Sequence, residues 1–278
     1  MVSLMSGQSC FLNVHDMLAE RIDSVRHRNP ISEDEIVSMT EFVLETRAYC
    51  KQSHPNWSYP ISSPSFSFIK SADDLSGVVR TRSWMRAADI PPQALFYCIY
   101  NSEARLKFDK YFVRFEVSRV VNPLLDVLIS EVRAPVGVTN REFVEWRRVL
   151  IPDVSGVEER RTGARYAIQL RSCDDSECSE GILPSSKHVE RAEVWLSGYV
   201  FKWWVDDDGK VKGSEVLVMS QVDWRGSIPK FIMNTATVDG PGKWSHSLID
   251  AAAQVCREKQ ADVSMSDKVL EEIFGIPR

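Results

Sequence analysis

The sequence predicts an α+β domain in which a mostly antiparallel sheet curls around one long helix near the C-terminus. Two stretches carry this reading. Residues 111–225 are nearly all strand signal, punctuated by turn residues at 122–123, 135–140, 152–163 and 207–212. Residues 226–259 follow directly with the longest helical pattern of the second half. There Ile228, Phe231, Ile232 and Thr235 recur at helical spacing, as do Trp244, Leu248, Ala251, Ala252 and Val255. No internal repeat is visible. The space between sheet and helix is where function is expected.

Taken in order, residues 9–28 and 33–51 read as two amphipathic helices. Phe11, Val14, Met17, Leu18, Ile22 and Val25 stripe the first, and Ser32 with Glu35 forms a capping box at the second. Asn29-Pro30 breaks them apart, so residues 1–30 are set aside as an extra helix, packed on the body or free to meet a partner. A Pro- and Ser-rich loop around Trp57 spans 54–64. Strands are expected at 65–70 and 77–87, then a proline-entered helix at 91–100 and a polar helix or turn reaching Asp109.

The strands of the main run are placed at 111–121, 126–134, 141–151, 164–172, 188–205 and 214–224. The long one at 188–205 is expected to divide or bend at Ser197-Gly198. The Asp-Gly-Pro-Gly at 239–242 should kink or interrupt the last helix, as a hinge or a static bend. Residues 31–262 make the domain, and 263–278 a C-terminal tail.

Composition bounds the function. The chain has 278 residues, 44% hydrophobic and 26% charged, with a net charge of −5 that argues mildly against nucleic acid. No run reaches the ~18 apolar residues of a membrane span. The start lacks a signal peptide's basic and apolar regions, so a cytoplasmic protein is expected. Six cysteines (10, 50, 98, 173, 178, 256) show no framework and read as reduced thiols. Cys173 and Cys178 with His188 fall short of a zinc set, so no metal and no cofactor is expected. Asp206-Asp207-Asp208-Gly209 lacks the later acidic ligands of a calcium loop and reads as a hairpin turn. No nucleophile, metalloprotease or phosphate-loop motif is present, so no catalytic residue is assigned and an enzyme is not expected.

The informative charges are Glu131 and Arg147. Alternation puts Ile129, Glu131 and Arg133 on one face of their strand, and Phe143, Glu145, Arg147 and Val149 on one face of the next. If those faces point at the long helix, a carboxylate and a guanidinium lie in an apolar space, where they must pair or hold something polar. The alternative is a cross-strand ion pair on a solvated face, worth a few tenths of a kcal/mol.

From Trp57 onward the chain resembles the START domain, the lipid-binding module related to the steroidogenic acute regulatory protein. The landmarks run in order: Ala104-Arg105-Leu106-Lys107-Phe108-Asp109 for the family's Arg-x-x-Trp-Asp; Glu131; Asn140-Arg141-Glu142-Phe143-Val144 followed by Arg147; and Ser186-x-His188. Met219, Asp223, Gly226, Ile228-Pro229-Lys230 and Asn234 complete the series. Glu142 stands where the family usually has Asp, and Val189 where Pro often follows the His.

The resemblance implies a helix-grip fold, a curved antiparallel sheet around the C-terminal helix with an internal lipid tunnel. It implies one bound lipid, carried between membranes or sensed, by a monomer that meets membrane surfaces transiently. By position Glu131 and Arg147 resemble the family's internal acidic–basic pair. Phe143, Val149 and Val194 are expected along the tunnel, with Val218, Ser220 and Asn234. Trp244 and Leu248 are expected to face the tunnel and a mobile loop at 152–163. The short span between Glu131 and Arg147 resembles phosphatidylcholine-type members and favours a phospholipid. The alternatives are a sterol, a regulatory module docking a protein partner through residues 1–30, and an enzyme depending on Glu131, since the wider superfamily includes cyclases and hydrolases.

Overall fold

A computed structural model describes residues 57–62, 66–71, 78–150, 164–173, 188–226 and 230–277, with side chains from residue 81 on except 164–165, 196 and 230–239. Along it run β1 (Trp57–Ser62), β2 (Phe66–Ser71), β3 (Val78–Ala88), α1 (Pro92–Tyr100), α2 (Ser102–Phe108), β4 (Phe112–Asn122), β5 (Leu125–Val132), β6 (Asn140–Leu150), β7 (Ala164–Ser172), β8 (Val189–Arg191), β9 (Glu193–Val205), β10 (Val211–Asp223), α3 (Lys230–Lys259) and α4 (Asp267–Phe274). The two helices expected at 9–28 and 33–51, the loop at 152–163 and Cys178 lie outside the described residues.

Nine strands pair antiparallel in the order β1-β2-β3-β10-β9-β7-β6-β5-β4, and β8 runs parallel beside the start of β6. The sheet is open and curved, and α3 packs against α1 and against β1–β3, which is the helix-grip arrangement. The main core fills the gap. Leu95, Phe96 and Ile99 of α1 meet Tyr166, Ile168, Phe201 and Trp203 of the sheet and Leu248 and Ala252 of α3.

Local chemistry explains the element ends. Pro91 and Pro92 open α1, where no internal N–H partner is lost. Asn101 caps α2 by accepting from the Ala104 amide at 3.0 Å. The β9–β10 hairpin turns on Asp206, whose side chain accepts from the Lys210 amide at 2.7 Å, with Gly209 at positive φ. At the bulge in β10, Gly213 has φ +145°, and a side chain there would overlap the Ala87 carbonyl, so only glycine fits.

Four expectations change. The loop expected at 54–64 contains the edge strand β1. Pro60 sits in it where the register with β2 shifts, a position in which a missing N–H is tolerated. The strand expected at 188–205 divides at Ala192, whose amide donates to Glu142 O, and Ser197-Gly198 is continuous strand. α3 is not interrupted at 239–242. Pro241 lies inside the helix with glycines on both sides, its φ suits a helix, and the loss is one N–H donor.

The C-terminal residues set aside as a tail are packed. Leu270, Phe274 and Ile276 are buried in the main core, and Tyr166 donates to Glu271 while Gln93 and Trp203 donate to Asp267. Ser266 caps α4 and Gly275 ends it in the left-handed region.

Candidate lipid-binding site

The concave face of the sheet, with Ile99 of α1 and Arg105 of α2, lines a cavity of about 180 Å³. Its walls come from alternate residues of neighbouring strands. Antiparallel pairing sets Ser130 against Phe143, Leu128 against Glu145 and Asp126 against Arg147, and directly opposed residues share a face. Ser130, Leu128, Phe143, Glu145 and Arg147 therefore look inward, with Ile168 and Leu170 of β7 and Tyr199 of β9.

The same register turns Glu131 away. Its partner is Glu142, on the opposite face from Arg147, and Glu131 accepts a hydrogen bond from Asn140 Nδ2 at 2.6 Å. The expected Glu131–Arg147 pair is thus corrected: the partner of Arg147 is Asp126. Arg147 is 3% exposed, donates from Nε and Nη2 to the two Asp126 oxygens at 2.9 and 2.7 Å, and gives Nη1 to Tyr100 O at 2.7 Å. Its guanidinium also lies 4.0 Å from the Tyr100 ring centre. Each of its three nitrogens thus has an acceptor.

Phe143, Val194, Val218 and Ser220 line the cavity. Val149 and Leu248 belong to the apolar core beside it. Asn234 falls in the first part of α3, where side chains are not described. At the Arg105 end of the cavity, Trp244 donates from Nε1 to Asp109 Oδ2 at 2.8 Å.

Strand alternation alone did not single out Arg105, at that same end. It is 4% exposed and pairs with Asp109 at 2.9 Å, while its Nε and Nη1 have no hydrogen-bond partner. Rings of Phe108, Phe112, Phe115, Tyr199 and Trp244 surround its guanidinium at 4.9 to 5.9 Å. The Arg105…Asp109 spacing was legible as an i,i+4 pair on a helix, but its inward aim was not.

Glu145 is the second addition. Buried at 6% exposure between Phe143 and Arg147, it makes no hydrogen bond or ion pair among the described residues. Burial pushes its carboxyl from the ordinary 4.5 up to about 7, against the pull of Arg147 and Arg105.

Other motif residues are structural. Arg141 donates to Trp224 O at 2.7 Å and Arg225 O at 3.0 Å, tying β6 to the end of β10. Glu142, fully buried, takes Arg191 of β8 at 2.8 Å and Arg114 of β4 at 3.6 Å. His188 is exposed in a turn. No helix among the described residues is long and apolar enough to cross a membrane.

The START-domain family matches residues 51–253, well over half of the chain, and the chain belongs to that family. START domains are lipid-binding modules and in general not enzymes. Among solved structures, human STARD10 is similar with TM-score 0.63 and 19% identity, covering 84% of each chain. Human StAR-related lipid transfer protein 5 gives 0.58 and 14%, over 78% of this chain and 96% of its own. The human StarD13 lipid transfer and protein localization domain gives 0.50 and 13%, over 75% and 95%. At these identities the likeness concerns the fold. No curated protein sequence matches the chain significantly.

Proposed function

We propose that this chain carries one phospholipid, acyl chains in the cavity and phosphate on Arg105, and transfers it between membranes as a cytoplasmic monomer without a catalytic step. The observation that supports this reading is the pair of buried, unbonded donors on Arg105 Nε and Nη1. A buried donor without an acceptor costs about 1–3 kcal/mol, and a phosphate supplies acceptors in the geometry a guanidinium fork matches. Each nitrogen of Arg147 already has an acceptor in Asp126 or Tyr100, whereas two nitrogens of Arg105 have none. A sterol hydroxyl satisfies one donor; a phosphate satisfies both.

Acyl chains supply the affinity, at roughly 0.8 kcal/mol per buried CH₂. The present 180 Å³ is below the roughly 300–1,000 Å³ of pockets that hold drug-sized ligands, so loading must widen the cavity. Parting of Trp244 from Asp109 opens the end where the polar group sits.

The test is native mass spectrometry of the purified full chain with lipid extraction, repeated for Arg105→Leu. A one-to-one phospholipid complex that is lost in the variant is expected. Uptake of sterol but no phospholipid sinks the reading, as does undiminished phospholipid loading by the variant.

A further inference from the structure

The two ion pairs of the cavity, Arg105–Asp109 and Arg147–Asp126, are each neutral as units. Glu145 is the charge left over. Its carboxylate faces the same space, enclosed by Phe143, Leu128, Ile168 and Leu170, with no donor bound to it among the described residues. A buried acceptor of this kind is satisfied by water, by its own proton, or by a ligand.

We propose that Glu145 selects the polar end of the lipid by taking a primary ammonium, so that an ethanolamine-type headgroup is preferred over an anionic one on the same acyl chains. The inference rests on the phospholipid reading above. Arg105 and Glu145 then form two poles, one for phosphate and one for the amine.

Charge supports the choice. With Glu145 ionised, the five charged groups sum to one negative charge, and an anionic lipid adds a second in a space walled largely by apolar side chains. A zwitterion adds none. Hydrogen bonding narrows it further. A quaternary ammonium brings charge but no N–H, leaving the carboxylate without a donor. The rings that would cage a quaternary ammonium already surround the Arg105 guanidinium.

The preference also has a pH signature. Besides Glu145, the ionisable groups lining this space are Arg147 on β6, Arg105 on α2 and Tyr199 on β9; Asp126 and Tyr100 contact Arg147, and Asp109 contacts Arg105. No histidine among the described residues faces it, since His188 and His246 are exposed. Glu145, brought to about 7 by burial, is the group placed to titrate near neutrality. Below that pH it is neutral and the amine preference fades.

The experiment loads the full chain from vesicles holding equal amounts of ethanolamine, choline and glycerol phospholipids with identical acyl chains. Bound lipids are then counted by mass spectrometry at pH 8 and pH 5.5. The isosteric Glu145→Gln is treated alike. In the unaltered chain ethanolamine should exceed glycerol lipid by at least about tenfold at pH 8, falling several-fold at pH 5.5. In Glu145→Gln the ratio should collapse at both values.

A ratio unchanged by the substitution overturns the inference and leaves the phospholipid reading standing. So does a choline lipid that outcompetes ethanolamine. An unaltered chain that loads none of the three overturns both.

Discussion

Arg147 and Glu145 sit two residues apart on one strand face, yet burial asks opposite things of them. Arg147 binds both oxygens of Asp126, so removing it strands that carboxylate in the interior. Arg147→Leu should therefore cost about 3–5 kcal/mol of stability in urea unfolding, the range for breaking a buried pair from one side. Arg105→Leu should cost less, because Asp109 keeps Trp244 Nε1 and the Tyr111 amide as donors. Glu145 strains the fold when ionised. The native chain holds that proton up to about pH 7, the unfolded chain only to about 4.5. Between those values the native state binds more protons, so stability falls as pH rises. The stabilising effect of the bound proton is complete below 4.5 and lost above 7. Glu145→Gln should remove that slope, making the variant more stable than the parent at pH 8 by up to about 3 kcal/mol. Parallel slopes for parent and variant would mean the carboxyl is solvated.

At the scale of elements, α4 has the most to test. A loose tail tolerates substitution; a helix seated on the core does not. Leu270 is 0% exposed against α1 and the sheet. Leu270→Ala should cost about 2–5 kcal/mol by thermal or denaturant unfolding, and under 0.5 kcal/mol would return these residues to the status of a tail. The polar contacts beneath it point the same way. Burial and the nearby Glu271 and Asp267 carboxylates push the Tyr166 hydroxyl well above its ordinary range, so it stays protonated and donates. From sequence, residues 263–278 read only as a C-terminal tail. Whether such a stretch docks depends on a vacant apolar site, here made by residues far away in the chain.

For the whole molecule, the cavity is lined by residues between Ile99 and Trp224, and the transfer reading gives residues 1–30 no part. Deleting them should leave vesicle-to-vesicle transfer within about twofold, measured with a fluorescent phospholipid. Loss of transfer with lipid still bound would favour a module that acts through a docked partner.

The order of strands and the final helix were legible because periodicity and turn residues are local properties of the chain. The START landmarks added the family. Which charges meet was not legible. Arg147 faces Asp126 rather than Glu131 because the β5–β6 register opposes odd positions to even ones, and a slip of one residue exchanges the two faces. Nor did alternation reveal the inner face. Leu125, Val127, Ile129, Val144 and Trp146 form a second buried cluster on the other side of these strands, so apolar residues occupy both. Sequence alone determined the α+β plan and the lipid-binding family. Only tertiary structure decided that Arg105 and Glu145 share a cavity, because their approach depends on strand register and on the packing of helices distant along the chain.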